Sequence, residues 1–230
     1  LILVDGQRLV GRVEGGIDLD RYPTAQLERV EIVRGAASAI YGADAVGGVI
    51  NLITRQADQP FQAEATAGGG TLGQRDLALT VGGTVGPVQT RWTVSNHAQA
   101  AFRRADTVAT SGPAQETTAI SQTSSARLGG GWQLQAGAEV TRRRRASVDT
   151  RDTGAVFDRT QLTDMLTARL GVTHRGERRD HAFMRADLNL HRDQLANDQR
   201  RSSALDQLQE SQIQQVGVTG QVDRGVGRHL

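Results

Sequence analysis

The side chains that could do chemistry in this chain are scattered. Its five histidines, at positions 97, 174, 181, 191 and 229, form neither an HExxH nor an HxH pair, and cysteine is absent. A zinc-hydrolase helix and a thiolate metal site are both excluded, as is a disulfide framework. Asp149, Asp152 and Asp158 share one polar stretch, but their spacing is not that of a calcium-binding helix–loop–helix. Gly68, Gly70 and Gly73 spell GxGxxG. A dinucleotide site requires a helix next, whereas the following "QRDLALTV" alternates as a strand. No catalytic arrangement emerges, and no cofactor is called for.

What remains is arginine. Every basic residue is Arg, and 27 bases face 25 acids for a formal charge of +2. A near-balanced chain lacks the concentrated basic face that nucleic-acid binding needs. The one dense run, Arg142-Arg143-Arg144-Arg145, has no interleaved aromatics to stack on bases. No apolar run is long enough for a transmembrane helix, but strands of a transmembrane barrel alternate and average out as polar.

Two grammars divide the chain. Up to about residue 57, short continuous apolar runs ("LILV", "VEIV", "GVINLI") are bounded by Gly, Asp or Arg and predict buried strands. "PTAQLERV" and "ASAIYG" have the composition of brief helical turns, so this part is expected to be a small α+β unit. From about residue 60 the pattern becomes long, strict alternation. Val88, Thr90, Trp92 and Val94 share one face, while Gln89, Arg91, Thr93 and Ser95 share the other. About eight such strands are expected, near 61–70, 74–85, 88–102, 120–130, 132–146, 161–174, 180–194 and 211–223. Several exceed the usual globular strand and match the ~9–11 residues that cross a bilayer. Tight turns ("GTVGP", "GGGW", "HRGERRD") alternate with long polar stretches expected to be loops, the asymmetry of an outer-membrane barrel.

"LILVDGQRL" together with "IDLDRYPTAQLERVEIVRGAASAIYGADAVGGVINLITR" resembles the plug domain of TonB-dependent outer-membrane receptors, most of all the cobalamin and catecholate-siderophore receptors. The resemblance rests on Asp5-Gly6, Leu27-Glu28-Arg29-Val30-Glu31, Arg34-Gly35, Tyr41-Gly42, Gly47-Gly48-Val49-Ile50-Asn51 and Ile53-Thr54-Arg55. It departs at Ala36, where many relatives carry Pro, and in its few aromatics. It implies a mixed fold: a partial plug, residues 1–57, followed by about eight of roughly 22 antiparallel barrel strands, residues 58–230. The chain is then expected to be a fragment without the TonB box, with unpaired barrel edges that make it insoluble alone.

The implied function is active transport of a ferric siderophore, haem or cobalamin across the bacterial outer membrane. A receptor that signals or adheres without transport is the alternative. The implied partners are TonB with ExbB and ExbD, the metal-chelate or cobalamin ligand, and the lipopolysaccharide of the outer membrane, with the receptor itself a monomer. Arg8, Arg12 and Glu14, in a loop expected to rise to the outer mouth, would touch substrate; a plain surface loop is the competing expectation. Arg34 would lock plug to barrel through a wall carboxylate, unless it is simply solvated. Gly35, Gly42, Gly47 and Gly48 would be structural glycines at positive φ. Arg142 to Arg145, in an outer loop, would face lipopolysaccharide phosphates.

Overall fold

The computed structural model describes residues 1–8, 27–35, 45–55, 59–103, 110–176, 180–200 and 202–223. The first of two main sheets has four strands: β1 (Ile2–Val4), β2 (Gln7–Arg8), β3 (Leu27–Arg34) and β4 (Gly48–Thr54), in the order β2-β1-β4-β3. β1 runs parallel to β4 and antiparallel to β2. Asp5 (φ 51°) and Gly6 (φ 76°) close the β1–β2 hairpin. Two positive φ values in succession suit a primed two-residue turn, for which Asp-Gly is a favoured pair. Leu3, Ala45 and Val49 form one small core; Val4 and Leu52, backed by Ile2, Leu27 and Ile50, form the other. The expectation of buried strands holds for β1 and β4 but not for "VEIV". β3 is an edge strand, and Val30, Ile32 and Val33 are exposed along it. The stretch expected to be helical at "PTAQLERV" has its last four residues in β3; its remainder, and "ASAIYG", lie outside the described residues.

The second sheet has eight strands: β5 (Gln62–Gly69), β6 (Arg75–Val85), β7 (Val88–Gln99), β10 (Ala114–Gly129), β11 (Trp132–Thr150), β12 (Val156–Arg175), β13 (His181–Gln199) and β14 (Gln207–Asp223). Sequential neighbours pair antiparallel throughout. Between β7 and β10, β8 (Phe102–Arg103) and β9 (Ser111–Gly112) make a small separate hairpin. The strands are longer than the sequence pattern predicts. β11 to β13 run 19, 20 and 19 residues, so most of the expected long loops are strand. The reason is that polar composition cannot tell a loop from a strand that continues beyond the bilayer, and cross-strand polar pairs hold that extension together.

Register turns the alternation into layers. One face carries the row Leu79–Val94–Ile120–Val140–Leu166–Leu190. Two rows toward the tight turns lies Thr90–Ser124–Ala136–Leu170–Ala186–Val218, and at the turns Trp132 sits beside His174, ring centroids 4.6 Å apart. From Trp132 to Val140 is about 27 Å along the strand. At a tilt of about 40° that is roughly 20 Å of height, close to the ~25 Å apolar band of an outer-membrane barrel. The other face is polar: Thr80, Thr93, Glu139 and Thr167 are buried on it, and Thr80 and Thr93 hydroxyls hydrogen-bond at 3.0 Å.

Leu170 lies mid-band on the apolar face and is half exposed. In the membrane-embedded protein, Leu170→Arg is expected to cost about 2–4 kcal/mol of folding stability, measured by urea titration in lipid vesicles. A cost near zero contradicts the assignment of this face to lipid.

Candidate functional site

The small sheet rests against the polar face of the large one. Arg185 Nη1 on β13 donates to the Gly6 carbonyl at 2.9 Å. Arg55, just past β4, approaches Glu64 of β5 at 3.9 Å, and Arg91 of β7 reaches the same carboxylate at 3.7 Å. Between the sheets lies a cleft of about 470 Å³, into which Arg29, Arg91, Arg169, Arg175 and Arg185 converge with Asp5, Glu28, Gln133 and Gln135. Gly6 serves twice here: its φ is positive, and a Cβ would fall 2.6 Å from Arg185 Nη1.

Asp5 is the hub of the small sheet. Its Oδ1 accepts from the Thr54 amide and its Oδ2 from the Thr54 hydroxyl, both at 2.8 Å. The Asp5 amide donates to the Leu52 carbonyl and the Gly6 amide to Asn51 Oδ1, both at 2.9 Å. Asn51 Nδ2 then donates to Glu31 at 3.2 Å, and Glu31 accepts from Arg29 Nε at 2.9 Å. That hydrogen bond, aided by the charges of Glu31 and Glu28, raises the Arg29 pKa above its ordinary value. Arg29 thus stays a cation in the cleft. A polar chain runs from the hairpin tip to the edge strand, starting from an aspartate, a residue type that tolerates positive φ better than most non-glycine residues.

The residues singled out by sequence fall as follows. Arg8 ends β2; Arg12, Glu14 and Gly42 lie outside the described residues. Gly35 (φ 91°) and Gly48 (φ 123°) take positive φ. Gly47 does not, because the turn before β4 places that conformation at Gly48 alone. Arg34 ends β3, exposed, and makes no ion pair among the described residues. The contacts to the wall seen here come from Arg185 and from the Arg55–Glu64–Arg91 group, which sequence reasoning missed. The available signal was Arg91's and Arg185's position on the polar face of alternating strands; their partners are remote in sequence.

The arginine run is not a loop. Arg142 to Arg145 lie inside β11 and alternate between faces. Arg143 is buried on the polar inner face beside Thr117, and Arg145 shares that side, so neither faces lipid. Arg142 and Arg144 point outward; Arg142 grips Asp164 at 2.7 and 3.2 Å. The three aspartates do not gather. Asp149 is in β11, Asp152 in a turn, and Asp158 is held by Arg200 through two hydrogen bonds of 2.7 and 2.8 Å. Among the described residues no group of three metal-binding side chains occurs.

Residues 1–49 match the family model of the TonB-dependent Receptor Plug Domain. An 86-residue stretch is 38% identical to the vitamin B12 transporter BtuB of Vibrio cholerae and 40% identical to that of Photobacterium profundum. The N-terminal part of the chain is thus similar to the plug of TonB-dependent receptors. The matched stretch is 37% of this chain and 14% of each curated relative, so the chain spans a small part of the relatives' length. The fold agrees over nearly the whole chain with solved receptors of Pseudomonas aeruginosa. A variant of the ferric enterobactin receptor PfeA superposes at TM-score 0.70 (16% identity, 96% of this chain, 38% of that one). The outer-membrane ferripyoverdine receptor gives 0.61 (16% identity, 92% and 31%). The small and large sheets thus correspond in fold to the plug and the barrel wall of those receptors, and the relatives are named as receptors and transporters rather than enzymes.

Asp5→Ala removes both hydrogen bonds to Thr54 and leaves alanine at positive φ. It is expected to lower local plug stability by about 2 kcal/mol, or roughly thirtyfold faster exchange of the Thr54 amide in hydrogen–deuterium exchange. Asp5→Asn, which tolerates the same φ, is expected to fall between. Unchanged Thr54 protection in Asp5→Ala contradicts the hub.

Proposed function

We propose that this chain supplies plug residues 1–57 and wall residues 58–230 of a monomeric transporter in the bacterial outer membrane. The transporter takes up a scarce metal chelate or corrinoid, a ferric siderophore, haem or cobalamin, and is driven by TonB with ExbB and ExbD. The observation that carries this reading is the docking of a plug sheet on a polar wall through a few directional contacts, Arg185 to Gly6 and Arg55 to Glu64. The two small apolar cores belong to the plug sheet, where a main-chain ladder holds β1 to β4.

That division suits a gate. Main-chain hydrogen bonds keep the plug folded while closed. A force applied through a segment N-terminal to β1 loads the β1–β4 pair first, and the Asp5–Thr54 bonds give way with it. Displacing β1 together with β2 enlarges the arginine-lined cleft beside the wall. Substrate is held on the outer side by plug loops, among them the segment carrying Arg8, Arg12 and Glu14, and by wall loops. Arg34 is assigned to plug–wall contact in the complete receptor. Identity to vitamin B12 transporters over 86 residues supports a corrinoid; the siderophore receptors share the fold at 16% identity and support the transport class.

The test is uptake by the complete receptor in a host lacking its own receptors, with radiolabelled cyanocobalamin and ferric siderophores offered separately. Saturable uptake of one ligand is expected, falling to the diffusional background when TonB is deleted. Equal uptake with and without TonB overturns active transport.

A further inference from the structure

The cleft between the two sheets carries more cations than its own carboxylates balance. Asp5 is engaged by Thr54, and Glu28 by Arg29 at 2.6 Å. Arg185 Nη1 donates to a neutral carbonyl, that of Gly6. Arg169 faces Asp187 in register, but Asp187 accepts from Asn189 at 3.1 Å. Arg169 and Arg175 line the cleft with no carboxylate partner among the described residues.

The floor beneath these arginines is glycine. Gly137 faces Arg169 across the β11–β12 boundary, and Gly171 faces Arg185 across the next. Neither takes positive φ, so no turn requires glycine there. Glycine inside a strand weakens it, and it often marks a place where a ligand or another backbone comes close. A Cβ at Gly137 would meet Arg169 Nε at 3.7 Å, and one at Gly171 would meet Arg185 Cγ at 3.4 Å. The two arginine side chains therefore lie across bare backbone, and the space above them stays open.

We infer that this cleft binds a small oxyanion, a phosphate or carboxylate group, with Arg169 as its main ligand and Arg175 at its mouth. A guanidinium presents a fork to such oxygens, and a cleft lined by one sign of charge concentrates the opposite ion. Hydroxyls of Thr123 and Ser125 and amides of Gln133 and Gln135 add neutral donors to the lining. The position is toward the tight turns, the periplasmic end of a wall of this kind. Arg175 closes β12 at that end, and Arg169 stands about 20 Å along the strand above it. Arg185 is one inward position below Arg169, so three guanidinium groups descend toward the periplasm. Free phosphate and an anionic group on a transported ligand offer the same chemistry. The site rests on the docking of the two sheets; its use by a departing ligand rests on the transport reading.

The test uses the complete receptor in detergent and follows the reaction of each arginine with phenylglyoxal by peptide mass spectrometry. Millimolar inorganic phosphate is expected to slow modification of Arg169 roughly threefold or more. Arg159, exposed near the other end of β12, should react at one rate throughout. Gly137→Leu fills the floor, leaves every charge in place and is expected to abolish the protection. Equal modification of Arg169 with and without phosphate overturns the site. So does an Arg169 that is unreactive before phosphate is added, since protein then already fills the position. Uptake separates the two sources of anion. Arg169→Gln is expected to lower the maximal rate of TonB-dependent uptake severalfold with surface binding of the ligand unchanged, and Arg169→Lys to fall between. Phosphate protection with full uptake by Arg169→Gln assigns the site to free phosphate and overturns its use by the ligand. Failed uptake by the unsubstituted receptor with protection intact counts against transport and leaves the site standing.

Discussion

Backbone hydrogen bonding is the constraint on which everything else rests. In hydrocarbon an unpaired amide or carbonyl costs several kcal/mol, so a chain that crosses with strands must pair each one laterally. The eight wall strands do this in unbroken sequential order from β5 to β14. Once the ladder is fixed, side-chain direction follows with a period of two. One face must then suit lipid and the other must suit water, plug and substrate. The apolar outer rows and the buried polar inner residues Thr80, Arg91, Glu139 and Arg143 are the two consequences of one pairing scheme.

The plug solves a different problem. Among the described residues it is a small sheet with two separate apolar clusters of a few residues each. Directional polar bonds centred on Asp5 and Asn51 tie its strands together beside these clusters. Such bonds are short-ranged and break over small displacements. In the proposed gate they would hold the plug in place at rest without requiring a large core to be dismantled when it opens. The Arg185–Gly6 bond follows the same logic at the plug–wall boundary, since it ends on a main-chain carbonyl at the hairpin tip.

Much of this was legible in the sequence. The Asp5-Gly6 turn and the opposed faces of "VQTRWTV" each follow from local pattern and emerge in the fold. Strand ends were not legible, because residues 147–150, 156–160 and 195–199 look like loop until register shows them paired across β11 to β13. Nor was the face of each arginine in the run, since four identical residues carry no alternation. Arg185 was invisible as a plug contact for another reason: Gly6 and Arg185 are separated by most of the chain, and no local pattern encodes such a meeting. Gly47 and Gly48 show the same limit at the smallest scale, where only one of two adjacent glycines takes positive φ.

The central claim is that β11 crosses the membrane with its even-numbered side chains in lipid and its odd-numbered ones in the lumen. The absence of cysteine from this chain favours a direct measurement by single spin labels placed in turn at positions 134 to 144 of the complete receptor in lipid bilayers. Collision with oxygen should alternate, high at 134, 136, 138 and 140 and low at 135, 137, 139 and 141. At 142 and 144 the oxygen signal should give way to accessibility toward a water-soluble nickel reagent. A helical period, or uniform accessibility along the segment, would contradict the account.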